Sequence, residues 1–139
     1  MPDDLRSRLE ALTARNAAPL DDASAEATFR DLIQALNTGT VRSAVRGSDG
    51  TWKAQSWVKQ GILLGFRLGR LTDFSSDQFP FFDKHTSPLK PLTPDDNVRL
   101  VPGGSSVRTG AYLAPGVVCM PPMYVNVGAY VDEDSMIDS

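Results

Sequence analysis

The sequence predicts an α/β N-terminal domain followed by the start of a left-handed parallel β-helix of about two coils. Two observations carry this. Residues 1–97 alternate helix-period apolar stretches with turn-rich extended segments, and from Val107 onward apolar residues recur at every sixth position. The expected division is a small domain with its connecting segment over 1–97 and the first coils over 98–139.

The opening elements follow from spacing. Leu5, Leu9 and Leu12 predict a helix over about 5–16, with Asp3 and Asp4 placed to cap its start. Ala17-Ala18-Pro19 breaks it. Phe29, Leu32, Ile33 and Leu36 predict a second helix over 24–37, stopped at Thr38-Gly39 because Gly accepts the left-handed conformation. Residues 41–46 and 51–54, around Gly47-Ser48-Asp49-Gly50, predict a hairpin. A third helix is expected over 57–68, with Trp57, Ile62, Leu64, Phe66 and Leu68 available for burial. Gly61 and Gly65 each weaken that helix by about 1 kcal/mol relative to Ala, which predicts close packing against a neighbour. Residues 72–97 read as an extended connection with short strands, pinned to the domain by Phe74, Phe79, Phe81 and Phe82.

The last segment parses into the hexads VRTGAY, LAPGVV, CMPPMY, VNVGAY, VDEDSM and a shorter IDS. Val107, Leu113, Cys119, Val125, Val131 and Ile137 hold the first position. Each hexad forms one side and one corner of a triangular coil, so the first residue points inward and the fifth favours small side chains. Residues 107–124 make one turn and 125–139 most of a second. Such repeats need neighbours to bury their faces, so association or a longer chain is expected.

Composition narrows the function classes. Apolar residues make up 41%, charged residues 22%, and the net charge is −3. That gives no electrostatic case for nucleic acid or an anionic membrane. The N-terminus lacks the features of a secretory signal, and the one cysteine fits a reducing compartment; a cytoplasmic location is expected. One Cys and one His leave too few ligands for a structural zinc site, so no metal is expected. Cys119, at an inward position, reads as core packing rather than a nucleophile. His85 reads as a surface histidine without a partner, and Asp132-Glu133-Asp134 as a solvated turn.

The stretches MPPMYVNVGAYVDE, MIDS, WVKQGILLGFRL, FFDK and VRLVPGG together resemble the tetrahydrodipicolinate N-succinyltransferase family of hexapeptide-repeat transferases, over essentially the whole chain. The resemblance implies transfer of succinyl from succinyl-CoA, a co-substrate rather than a bound cofactor, to the amine of L-2-amino-6-oxopimelate in lysine and diaminopimelate biosynthesis. It implies a homotrimer with sites between subunits. It also implies that Arg99 binds a substrate carboxylate and that Asp138 meets the substrate amine. The segment between Arg99 and Val107 is one residue longer than the family pattern. The family's catalytic glutamate and CoA-binding coils lie beyond the matched segment, so no catalytic residue is assigned and this chain is expected to be inactive alone. The alternative is a non-catalytic remnant or interaction subunit.

Overall fold

A computed structural model describes residues 2–15 and 23–139. Three helices form the first layer: α1 (Pro2–Thr13), α2 (Ala23–Asn37) and α3 (Ser56–Leu68). Helix α1 starts earlier than its leucines alone predict. Pro2 opens it, since a first-turn N–H has no intrahelical partner to lose, and Asp3 and Asp4 lie inside the first turn, where the helix dipole favours negative charge. The predicted break at Ala17-Ala18-Pro19 lies outside the described residues.

Leu5, Leu9 and Leu12 pack with Ala25, Leu32, Leu36, Val41, Trp57, Val58 and Leu64 in one core. Ile62, Phe66 and Leu68 are only half-buried, whereas Val58 is fully inside. The two glycines of α3 set how closely the helices approach. A Cβ built at Gly61 would stand 2.5 Å from Leu32 Cδ2, and one at Gly65 would overlap the Phe29 ring. The helix gives up propensity at these positions so that Phe29 and Leu32 can seat against its backbone.

Strands β1 (Ala44–Arg46) and β2 (Trp52–Ala54) pair antiparallel, with Val45 opposite Lys53. Asp49 closes their turn by accepting from the Thr51 N–H and hydroxyl. Beyond α3, β3 (Leu71–Asp73) and β4 (Phe82–Lys84) form a second hairpin. Here the sequence expectation fails. Phe79, Phe81 and Phe82 are 59, 57 and 62% exposed, and Phe74 is also exposed. They do not pin the connection to the domain. They ride on an outlying two-stranded arm, where Phe79 and Phe81 stack on each other with ring centroids 6.1 Å apart.

The C-terminal strands are β5 (Arg99–Leu100), β6 (Ser106–Val107), β7 (Tyr112–Leu113), β8 (Val118–Cys119), β9 (Tyr124–Val125), β10 (Tyr130–Val131) and β11 (Met136–Ile137). All their pairings are parallel: β6 with β9, β7 with β10, and β5–β8–β11 in one three-stranded sheet. Ser106 faces Tyr124, Tyr112 faces Tyr130 and Val118 faces Met136, an offset of 18 residues each time. Three hexads therefore separate each of these three pairs, which is consistent with the start of a β-helix.

Burial follows the hexad. Val107, Leu113, Cys119 and Val125 are buried with Ala111, Val117 and Met123 of the fifth position, while Val131 and Ile137 pack at the edge of this core. The fourth position turns the corner. Gly110, Gly116, Gly128 and Asp134 there all have positive φ, a conformation that glycine adopts freely and aspartate tolerates. Corners of successive turns stack so closely that a Cβ at Gly116 would collide with Asp134.

Polar contacts join the helical layer to the strands. Asn37, at the end of α2, donates to Thr109 Oγ1 (2.9 Å) and accepts from the Gly110 N–H (2.8 Å) and Lys90 Nζ (3.0 Å). Burial pulls the Lys90 ammonium below the ordinary lysine range, partly offset by Asp96. Nearby, Ser43 donates to the Gly128 carbonyl, and Arg42 lies 3.4 Å over the Tyr130 ring. Arg108 pairs with Asp83 and bonds Asn126, tying the arm's base to the strands.

Two outcomes follow. Gly65→Ala should destabilise the fold by about 1–3 kcal/mol despite its gain in helix propensity, because the methyl meets the Phe29 ring; a lowered urea midpoint checks it. Asn37→Leu should cost about 1–3 kcal/mol by leaving buried partners unpaired. Asn37→Asp, which keeps the acceptor for Gly110 and Lys90, should recover most of that loss in the same denaturation series.

Candidate functional site

Of the two residues singled out by resemblance, Arg99 lies in the β5–β8–β11 sheet and Asp138 directly follows its last strand. Arg99 opens β5 in register with Val118 of β8, which in turn pairs with Met136 of β11. The neighbours Leu100, Cys119 and Ile137 form the adjacent row, and Cys119 is fully buried. Because side chains alternate along a strand, the row of Arg99, Val118 and Met136 points outward. Asp138 lies two residues beyond Met136 and so shares that outer face.

The extra residue before Val107 is absorbed without disturbing this placement. Arg99 and Val118 are 19 residues apart, against 18 for the other pairs. The surplus sits in the corner Pro102-Gly103-Gly104, where both glycines have positive φ. The ladder itself is intact: the Arg99 N–H donates to the Val117 carbonyl (2.9 Å) and the Val101 N–H to that of Cys119 (3.1 Å).

Arg99 and Asp138 are both exposed. Two strand steps and two residues along the strand separate them, which puts their Cα atoms about 12 Å apart. Within the chain they do not touch. The Arg99 guanidinium has no hydrogen bond or ion pair among the described residues, and one Asp138 oxygen accepts only the Ser139 N–H (2.9 Å). The arrangement is a cation and a carboxylate at the two margins of one sheet face, with Val118 and Met136 between them. Such a face can hold a molecule bearing a carboxylate at one end and an ammonium at the other.

Cys119 is in the core, as its hexad position predicts, and burial pushes its thiol up from the ordinary range, so it stays protonated and inert. Asp132, Glu133 and Asp134 are exposed, with Asp132 accepting from the Glu133 N–H in a corner turn. His85 requires a correction. It is partly buried and partnered: Nδ1 accepts the Arg70 N–H (3.0 Å), and Nε2 lies 3.7 Å from Glu26 Oε1. Its neighbours come from α2 and from the segment just after α3, which no local sequence pattern could bring to it.

A cleft of about 340 Å³ opens beside His85, lined by Glu26, Phe29, Arg30, Ile33, Thr86 and Thr109 among others. Sequence reading missed it. The one signal was the i, i+4 spacing of Glu26 and Arg30, which marks a common helix-surface pair.

Comparison with known proteins places this geometry in context. Residues 4–68 match the family model described as tetrahydrodipicolinate N-succinyltransferase N-terminal. The chain is 38% identical over 145 aligned positions to the 2,3,4,5-tetrahydropyridine-2,6-dicarboxylate N-succinyltransferase of Sodalis glossinidius, covering 97% of this chain and 51% of that protein. It is 37% identical to the same-named protein of Polynucleobacter asymbioticus, over 89% of this chain and 48% of that one. For that of Acinetobacter baylyi the identity is 36%, covering 89% and 47%. The chain thus spans about half the length of the curated relatives it matches. Over nearly its whole length it is similar to the N-terminal half of the tetrahydrodipicolinate N-succinyltransferases.

Proposed function

We propose that this chain supplies the acceptor-binding side of an N-succinyltransferase acting in lysine and diaminopimelate biosynthesis. The observation that carries the reading is the match of nearly the whole chain to curated proteins named as 2,3,4,5-tetrahydropyridine-2,6-dicarboxylate N-succinyltransferases. In this reading the strands of residues 98–139 are the first coils of a left-handed, hexapeptide-repeat β-helix, residues 1–97 are a separate small domain, and the working form is a cytoplasmic homotrimer. Among the described residues, no helix is long and apolar enough to cross a membrane.

The proposed acceptor is L-2-amino-6-oxopimelate and the donor succinyl-CoA, used as a co-substrate. Arg99 pairs with an acceptor carboxylate, for which a planar guanidinium offers two parallel donors. Asp138 orients the acceptor ammonium and favours loss of its proton. The freed amine attacks the thioester carbonyl, the carbon–sulfur bond breaks, and CoA leaves as the thiol. The outward register of Arg99 and the exposure of both side chains support this assignment, since a ligand can reach each of them. A donor site and a catalytic base are assigned to the half of the relatives' length that this chain does not match, so residues 1–139 alone are proposed to be inactive. The second reading, a non-catalytic interaction domain, draws on that same half-length match.

Arg99→Ala should weaken binding of 2-aminopimelate by roughly 10- to 100-fold, the loss of a charge-assisted hydrogen-bonding group of about 1.5–3 kcal/mol. Arg99→Lys should restore little of it. Titration calorimetry on the wild-type chain and both variants checks this, and equal affinities would remove Arg99 from the site. CoA release from succinyl-CoA by the 139-residue chain, followed by thiol detection, should be absent with or without acceptor. Acceptor-dependent release would overturn the assignment of the donor site to another segment.

A further inference from the structure

The cleft beside His85 is separate from the proposed acceptor face, since neither Arg99 nor Asp138 lines it. Its volume of about 340 Å³ stands at the small end of ligand sites, with room for one small molecule. One part of its lining is apolar: Phe29 and Ile33 of α2, with Pro88. The other part is polar. Glu26 and Arg30 come from α2, one turn apart, and His85 comes from the segment just after β4.

These three side chains stand close without closing on one another. The Arg70 N–H donates to His85 Nδ1 (3.0 Å), which leaves the ring proton of the neutral imidazole on Nε2. Nε2 stands 3.7 Å from Glu26 Oε1, and Arg30 Nη2 stands 3.9 Å from the same oxygen. Both separations are longer than a hydrogen bond. Two N–H donors thus flank one carboxylate with their hydrogen-bonding capacity unused. Their side chains are graded in exposure, from 73% for Arg30 and 43% for Glu26 to 26% for His85, as at the mouth of a pocket.

Charge selects the ligand. A phosphate or a simple carboxylate would pair with Arg30 but face Glu26. A simple amine, or the N-terminus of a peptide, would pair with Glu26 but face Arg30. A molecule that carries both charges on one carbon meets both demands. Its carboxylate takes the donors of Arg30 and His85, and its ammonium donates to Glu26. The substituent on that carbon then lies along Phe29 and Ile33.

We infer that this cleft binds a free α-amino acid with an apolar side chain, held by Glu26, Arg30 and His85. The site is built from α2 and the segment after β4, so it stands or falls independently of the acceptor face.

His85 is the one histidine of the sequence, so its ring signals in NMR spectra report on the cleft alone. The test titrates the 139-residue chain with L-leucine and with L-phenylalanine at neutral pH. At least one should give a shift of the His85 signals that saturates below about 10 mM. Glu26→Gln and Arg30→Gln, both at solvent-accessible positions, should each weaken that binding about tenfold. Three analogues, 4-methylpentanoate, 3-methylbutylamine and glycine, lack in turn the ammonium, the carboxylate and the apolar side chain of leucine, and each should bind more weakly than leucine by a similar factor. No saturable shift with either amino acid would overturn the inference. Binding unchanged in both variants would do the same. An analogue with one charge that binds as well as leucine would overturn the amino-acid assignment, and glycine binding equally well would remove the apolar wall from it.

Discussion

The C-terminal strands depend on one geometric rule: a corner every six residues, closed by a backbone with positive φ everywhere but at Pro122. Gly110, Gly116, Gly128 and Asp134 all meet it. The repeat makes β9, β10 and β11 each land on the strand 18 residues earlier. Once that register is set, inward and outward are assigned for every side chain by the alternation of the strand. Cys119 and Val117 go into the core, and Arg99 and Asp138 go out to solvent. The proposed acceptor residues thus owe their common face to glycines that never touch them.

The helical layer and the strands are held together differently. Their junction adds polar contacts to the packing of Val127 against the helical core, with Asn37 satisfying a side chain, a backbone N–H and an ammonium at once. A junction of this kind fixes relative position more sharply than an apolar contact, because hydrogen bonds fail with small displacements. Arg108 adds a second tie through Asp83 and Asn126. The arm therefore leaves the molecule from an anchored base, although its tip is exposed.

What could be read from the sequence was whatever repeats locally. Helices α2 and α3 and the hexad register were legible because periods of about 3.6 and of six residues are properties of neighbouring positions. Gly61 and Gly65 also gave themselves away, since a helix does not spend propensity without a packing reason. The four phenylalanines misled, because apolar residues in a loop say only that burial is favourable, not where it occurs. His85 and Asn37 were opaque for a related reason: their partners are 15 to 73 residues away. The proposed site residues Arg99 and Asp138 came from family resemblance alone, as an isolated strand arginine and an aspartate near a turn carry no chemical signature.

The 19-residue interval between β5 and β8 shows where this architecture tolerates change in length. An added residue within a side would exchange inside for outside along the rest of the strand. An added residue at the Pro102-Gly103-Gly104 corner only widens a bend that faces solvent. The corners are thus the expansion joints of the fold: insertions gathered there can elaborate a rim or a lid while leaving the layered interior untouched.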